Sequence, residues 1–310
     1  MSRDIAVSEL VALAREGQDR AIGLLISEIE SSGHPRRVMD ELVGSPRSAH
    51  ILGVTGPPGA GKSTLTGRLA SSLIENGSRV AVVAVDPSSP FSGGALLGDR
   101  VRMDWPADAR PFMRSMATRG AAGGLAEATE DTVDLLSSLD FHHVIIETVG
   151  AGQNDLAIAG LADTVVVVSV PGLGDSVQAE KAGMYEIADI HVVNKSDRPG
   201  AKQLAAELHG VTSGRDGWEV PVLVTTATQG IGVEDLREAI GFHHDHLVRS
   251  GQLAVHRLQR ARARLLNAVQ SQAMAAVRER LRDSDQLARL ANEVSNGSLS
   301  TYQALDEIAG

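Results

Sequence analysis

Apolar residues change their spacing twice along this chain. Up to about residue 48 they recur at helical intervals. Ser8 followed by Glu9-Leu10-Val11-Ala12-Leu13 predicts a helix start, and Gly17 interrupts it. Ala21-Ile22-Gly23-Leu24-Leu25-Ile26 with Ile29 forms a second stripe, which Ser31-Ser32-Gly33 ends and Pro35 keeps from continuing. Val38 to Val43 predicts a short third helix. From Ile51 the texture becomes short, near-continuous apolar runs separated by helical stretches. The runs are His50 to Thr55, Arg79 to Val85, Val144 to Ile146, Thr164 to Val170, Ile190 to Val193 and Val222 to Thr225. Such runs predict an α/β fold with a mostly parallel sheet of at least six strands and helices on both faces. Ligands in such folds bind at the carboxyl ends of the strands.

Beyond about residue 246 the strand signals stop. Leu253, Leu258, Leu265, Leu266, Val269, Val277 and Leu281 mark a long amphipathic helix, with Arg257, Arg260, Arg262 and Arg264 crowding its first half. Leu287, Leu290 and Val294 mark another, and Ser298 to Ile308 a last short one. Three parts are therefore expected: a helical extension over 1–48, an α/β domain over 49–246 and a helical arm over 247–310. An apolar stripe on an arm beyond a complete core predicts association, here a homodimer.

Composition narrows the picture. The 310 residues suit one or two domains. The formal net charge of −10 argues against a nucleic-acid surface. The absence of cysteine excludes disulfides, thiolate zinc sites and thiol catalysis. The first residues are polar with early acids, unlike a signal peptide, and no apolar run approaches a membrane span. A cytoplasmic protein with neither nucleic-acid nor membrane partners is expected.

The chemistry lies at the expected strand ends. Gly56-Pro57-Pro58-Gly59-Ala60-Gly61-Lys62-Ser63-Thr64 fits a glycine, four residues, then Gly-Lys-Ser, between a strand and a helix. In that context the backbone N–H groups and the helix dipole face phosphate oxygens. Lys62 reaches the β- and γ-phosphates, and the Ser63 hydroxyl ligates Mg²⁺. Asn194-Lys195-Ser196-Asp197 follows another strand. Its carboxylate, Asp197, accepts both the ring N–H and the exocyclic amino group of guanine, a donor pair that adenine lacks. The pattern therefore predicts GTP and GDP as ligands, with Thr226, Ala227 and Thr228 supplying backbone contacts to the base. Glu147-Thr148-Val149-Gly150 follows a third strand: Glu147 can hold a Mg²⁺-bound water, and the Gly150 amide can meet the γ-phosphate. Asp86 ends the neighbouring run and makes a second acid for the metal. In the loop beyond it, Asp99 could reach the metal and Arg100 could neutralise charge on the phosphate, or the two could form an ordinary surface ion pair. Gln153 could orient water or be a plain loop residue. His243, His244 and His246, like His142-His143, read as solvated element ends rather than metal ligands.

Taken together, DPSSPFSGGALLGDRVRM over 86–103, Ser115 to Gly120 with Gly123-Gly124-Leu125-Ala126, ETVGAGQ, PGLGDSVQAEKAG and NKSD closely resemble the MeaB/MMAA (ArgK-like) family of P-loop GTPases. Ala121-Ala122 and Asn154-Asp155 depart from that pattern. The resemblance spans nearly the whole chain and implies a SIMIBI-type fold. It also implies a chaperone of adenosylcobalamin-dependent acyl-CoA mutases, chiefly methylmalonyl-CoA mutase, in which GTP hydrolysis gates cofactor loading and protects the mutase. It further implies dimerisation through the arm and a switch at Pro171 to Gly183 whose Lys181 takes part in partner-stimulated hydrolysis. A kinase acting on a small molecule or transport protein is the alternative; it requires an acceptor pocket and a general base, for which the sequence offers no clear candidate. A nickel-insertion GTPase would need Cys or His ligand sets.

Overall fold

The computed structural model describes residues 6–31, 35–86, 110–117, 127–148, 157–172, 183–212, 214–282 and 285–309. Seven strands form one sheet in the order β3-β2-β4-β1-β5-β6-β7. They are β1 (His50–Thr55), β2 (Val80–Asp86), β3 (Phe112–Ala117), β4 (His143–Thr148), β5 (Thr164–Ser169), β6 (Ile190–Val193) and β7 (Val222–Val224), and every pairing is parallel. β1 is central and buried at all its positions, paired with β4 on one side and β5 on the other.

Alternation along the strands divides the core into two layers. Ile51, Val83, Val144, Ile146, Val165 and Val167 face the layer that contains Leu10, Ile22, Leu25 and Ile26 of α1 (Val7–Arg15) and α2 (Asp19–Ser31). Val38 of α3 (Arg36–Asp40) and Leu135 and Leu136 of α5 (Glu127–Ser137) belong to the same layer. Leu52, Val54, Val82, Ile145, Val166, Val168 and Val192 face the other layer, with Leu65 and Leu69 of α4 (Lys62–Glu75) and Leu236 and Ile240 of α7 (Val233–Arg249). Both faces are thus dry, which is why the strands read as continuous apolar runs rather than alternating ones. α6 (Ala201–Val211) packs Leu208 against Val193 and Val222 at the β6–β7 end. The N-terminal helices share one continuous core with the sheet.

β3 is the strand that the apolar pattern does not reveal. Arg114 and Ser115 interrupt it, and it pairs only with β2, at the sheet edge. Arg114 lies between Phe112 and Met116 on the α2 face, and its Nη2 donates to Glu30 and to Ser27 Oγ at 3.1 Å, both on α2, while its buried Nε makes no hydrogen bond. A cation is tolerated in that apolar layer because its charge meets a carboxylate on the covering helix.

Contacts divide the chain into two units, Met1–Ala254 and Val255–Gly310. The second holds most of α8 (Gln252–Arg282), then α9 (Asp285–Ser295) and α10 (Thr301–Ala309). Arg289 joins α9 to α10 by donating to Glu307 at 2.7 Å, and Leu290 and Ala304 are buried. Leu258, Leu265, Leu266, Val269, Met274 and Val277 along α8 are exposed. Among the described residues, no helix is long and apolar enough to cross a membrane.

Candidate nucleotide site

The loop from β1 to α4 is held in shape by close backbone approaches. Gly56 has φ +143°, and a Cβ there would lie 2.1 Å from the Val168 carbonyl oxygen of β5. Gly61, the residue before α4, has φ +89°, and a Cβ there would lie 2.5 Å from Asn194 Nδ2. Neither position has room for a side chain. Lys62 is buried, and its Nζ donates to the carbonyls of Gly56 at 2.7 Å and Pro57 at 3.0 Å. The ammonium therefore arches back over the loop that its own helix follows. Pro58, Gly59 and Thr64 are exposed, while Ala60 is buried. The Ser63 hydroxyl donates to Glu147 Oε1. Glu147 sits near the end of β4, and β2, its neighbour in the sheet, ends in Asp86.

Asn194 ties the loop to the rest of the site. Its buried side chain donates from Nδ2 to the Ala60 carbonyl at 2.9 Å. Its Oδ1 accepts from Thr225 Oγ1 at 3.0 Å and from the Ala227 N–H at 3.1 Å. A single amide thus joins the phosphate loop, the end of β6 and the segment after β7. Lys195 has φ 58°, in the left-handed region, and its Nζ donates to the Gly59 carbonyl at 2.6 Å. Ser196 Oγ and Thr226 Oγ1 share a hydrogen bond of 2.7 Å. Asp197 is exposed. Arg68 on α4 donates to the Thr228 carbonyl at 3.2 Å. The sequence offers no signal for that contact, because Arg68 reads as an ordinary exposed helix residue.

The structure therefore gathers Gly56 to Thr64, Glu147, Asn194, Lys195, Asp197 and Thr226 to Thr228 at the carboxyl ends of β1, β4, β6 and β7. Asp99, Arg100, Gly150, Gln153 and Lys181 lie outside the described residues, and of Asp86 only the backbone is described.

At the amino ends of the same strands the structure differs from expectation. His243 is buried rather than solvated. Its Nδ1 shares Thr164 Oγ1 with His50 Nε2, at 2.8 and 2.7 Å. Asp189 accepts from Arg215 at 2.8 Å and from the Val165 N–H at 2.8 Å, and lies 3.7 Å from His243 Nε2. Burial pushes the Asp189 carboxyl up to about 6 against the pull of those donors. Burial, with His244 beside it, holds His50 well below the ordinary histidine value. The sequence misses this because the partners are far apart in the chain and meet only through parallel pairing. No group of three or more His, Asp or Glu among the described residues is arranged to hold a metal.

The profile of the family described as "Methylmalonyl Co-A mutase-associated GTPase MeaB" matches residues 19–282. The chain belongs to the MeaB family. Relatives across this GTPase family extend the match. A Pyrococcus horikoshii protein named as a GTPase is 41% identical over 309 residues, covering 97% of this chain and 96% of its own. The GTPase ArgK of Escherichia coli K12 is 33% identical over 275 residues, 84% of this chain and 83% of its own. The mouse "Methylmalonic aciduria type A homolog, mitochondrial" is 32% identical over 263 residues, 82% of this chain and 63% of its own. Among solved structures, one titled "LAO/AO transport system kinase" superposes with a TM-score of 0.73 at 24% identity, covering 100% of this chain and 98% of its own. At that identity the likeness speaks for the fold alone. The MeaB match and the seven-stranded parallel sheet together make this a P-loop GTPase fold.

Proposed function

We propose that this chain is a Mg²⁺-dependent GTP hydrolase. In this reading it switches the state of an adenosylcobalamin-dependent acyl-CoA mutase, most simply methylmalonyl-CoA mutase, gating cofactor loading and protecting the mutase. The observation that carries the guanine reading is the Asn194 amide, bonded at once to Ala60 of the phosphate loop and Ala227 of the base segment, with exposed Asp197 three residues on. The mutase reading is supported by the family description and by the mouse relative's name.

The residues present fit these ligands. A glycine loop with no room for Cβ at Gly56 or Gly61 lets phosphate oxygens approach backbone N–H groups. Lys62, which donates to the neutral carbonyls of Gly56 and Pro57, carries its positive charge into that cradle. The hydroxyl of Ser63 and the carboxylate of Glu147 are hard oxygen donors of the kind that Mg²⁺ takes, with few direct protein ligands and water completing the shell. Bound there, Mg²⁺ would neutralise charge on the β- and γ-phosphates. In this reading Lys62 holds the γ-phosphate, and Glu147 with Asp86 orients metal-bound water. Asp99, Arg100, Gly150 and Lys181 complete the site: Asp99 at the metal, Arg100 and the Gly150 amide at the γ-phosphate, and Lys181 in partner-stimulated hydrolysis. Residues 49–246 form the GTPase domain, 1–48 its helical extension and 247–310 the dimerisation arm.

Calorimetric titration tests the nucleotide reading: GDP and GTP bind far more tightly than ADP and ATP, and Asp197→Asn moves the preference toward xanthine nucleotides. Equal affinity for ATP and GTP refutes it. The mutase reading predicts that a cobalamin-dependent mutase from the same host raises GTP turnover several-fold. An unchanged rate with every such mutase refutes that part alone.

A further inference from the structure

β4 is fixed on both faces at the end that enters the 149–156 segment. On the α4 face, Glu147 accepts from Ser63. On the opposite face, the next residue, Thr148, donates from Oγ1 to Thr55 Oγ1 at 3.0 Å. Both threonines are fully buried, at 1% and 0% exposure. Thr55 is the last residue of β1 and directly precedes Gly56. Gly56 is closely confined: a Cβ there would lie 2.1 Å from the Val168 carbonyl oxygen, and its own carbonyl accepts from Lys62. Thr55 is therefore a rigid reference point at the root of the phosphate loop.

We infer that the Thr148 hydroxyl is a positioning group, which sets the carboxyl end of β4, and with it Glu147, against the phosphate-loop root by its bond to Thr55. The inference deepens the GTPase reading above and rests on it. Glu147, proposed to orient metal-bound water, is the group whose placement it governs. A hydroxyl suits this task better than a methyl. Apolar packing at a strand end tolerates a slide of some tenths of an ångström, whereas a buried hydrogen bond loses strength steeply with distance and angle. Because Thr148 is buried, water does not freely replace its partner when the bond is displaced. Misplacing a reacting group by about 1 Å can slow a reaction by up to about 100-fold, so a small slide here has a visible effect on rate.

Two near-isosteric substitutions separate this role from packing. Thr148→Val keeps the branched shape and strand preference but removes the hydroxyl; Thr148→Ser keeps the hydroxyl and removes the methyl. Single-turnover GTP hydrolysis is measured on the full chain. Affinities for GDP and a non-hydrolysable GTP analogue, with thermal unfolding to confirm the fold, complete the set. We expect Thr148→Val to lower the hydrolysis rate about tenfold and to weaken the GTP analogue relative to GDP, with GDP affinity held within about twofold. Thr148→Ser stays within about threefold of wild type in both. Thr55→Val also slows hydrolysis, and the double variant loses clearly less than the sum of the two single losses, because both remove the shared bond. The inference is overturned if Thr148→Val behaves as wild type while Thr148→Ser is slow, or if the two single valine variants add. If Thr148→Val unfolds, the Thr148→Ser rate and affinity ratio decide: a loss there overturns the role. A wild-type chain that binds neither nucleotide defeats the GTPase reading itself, and the inference falls with it.

Discussion

Replacing Asn194 by alanine probes the site at its most connected point. The substitution removes one bond to the Ala60 carbonyl and two accepted from Thr225 and Ala227. Ala60, Thr225 and Ala227 are all buried, so water does not replace the lost partner freely. The Thr225 hydroxyl can rotate toward another acceptor and is counted as recovered. The Ala60 carbonyl and the Ala227 N–H cannot turn, and each unsatisfied buried group costs about 1–3 kcal/mol. The vacated amide volume is polar and can admit a water, which favours the lower half of that range. A loss of about 3 kcal/mol follows, equivalent to a Tm lower by roughly 6–12 °C for a domain of this size. The site loses pre-organisation as well, because the phosphate loop and base segment no longer hold one another; GDP affinity falls at least about tenfold, or 1.4 kcal/mol. Differential scanning calorimetry with and without GDP, and titration calorimetry, read both quantities. Asn194→Asp is the informative companion: it keeps both accepted bonds but turns a carboxylate oxygen toward the Ala60 carbonyl, where Nδ2 had donated. It should be no milder than alanine. A Tm within 2 °C of wild type, with GDP affinity within about twofold, refutes the clamp described here.

Three further outcomes follow from other parts of the molecule. Lys62→Ala loses a charge from the phosphate cradle and slows hydrolysis by about 2–3 kcal/mol of transition-state stabilisation, read as initial rates at saturating GTP; turnover near wild type refutes its role. Stability falls on acidification: His143 and His191 are held near 4 by burial, so the unfolded chain takes up their protons first as pH drops below 6.5. At pH 5 each removes about 2 kcal/mol, against about 1 kcal/mol returned by Asp189, whose raised value acts in the opposite sense. Tm should therefore fall from pH 7 to 5 and fall less in His191→Phe; a flat profile over that window refutes the assignment. Light scattering on the full chain at micromolar concentration should report a dimer, since α8 leaves Leu258, Leu265, Leu266 and Val269 exposed; a monomer refutes the arm's proposed role.

What the sequence discloses and what it conceals have physical reasons. Strands buried on both faces appear as apolar runs, so β1, β2, β4, β5, β6 and β7 are legible. β3 is concealed because its Arg114 is neutralised by Glu30 and Ser27, residues of a helix more than 80 positions earlier. The phosphate loop and NKSD are legible because their spacing is local. The Asn194 bonds to Ala60 and Ala227 are not, since they span separations of 134 and 33 residues. The histidines mislead for the same reason. His243 lies on α7 among many polar residues and reads as solvated, yet Thr164, 79 residues earlier, supplies its partner.

The central position of β1 has a consequence for how the chain comes off the ribosome. Both strands that pair with β1 are encoded well after it, and His50 at its start bonds to Thr164, 114 residues further on. At roughly 5–20 residues per second, synthesis leaves one edge of the strand that carries the phosphate loop unpaired for about 6–23 s. Throughout that interval an apolar segment with open backbone donors and acceptors is exposed, while the local packing of α1 on α2 can form at once, ahead of their contacts with the sheet. The nucleotide cradle therefore cannot assemble until β5 has emerged. Substitutions that slow or mispair β4 or β5 should reduce the yield of folded protein made in cells more than they reduce the stability of the finished fold.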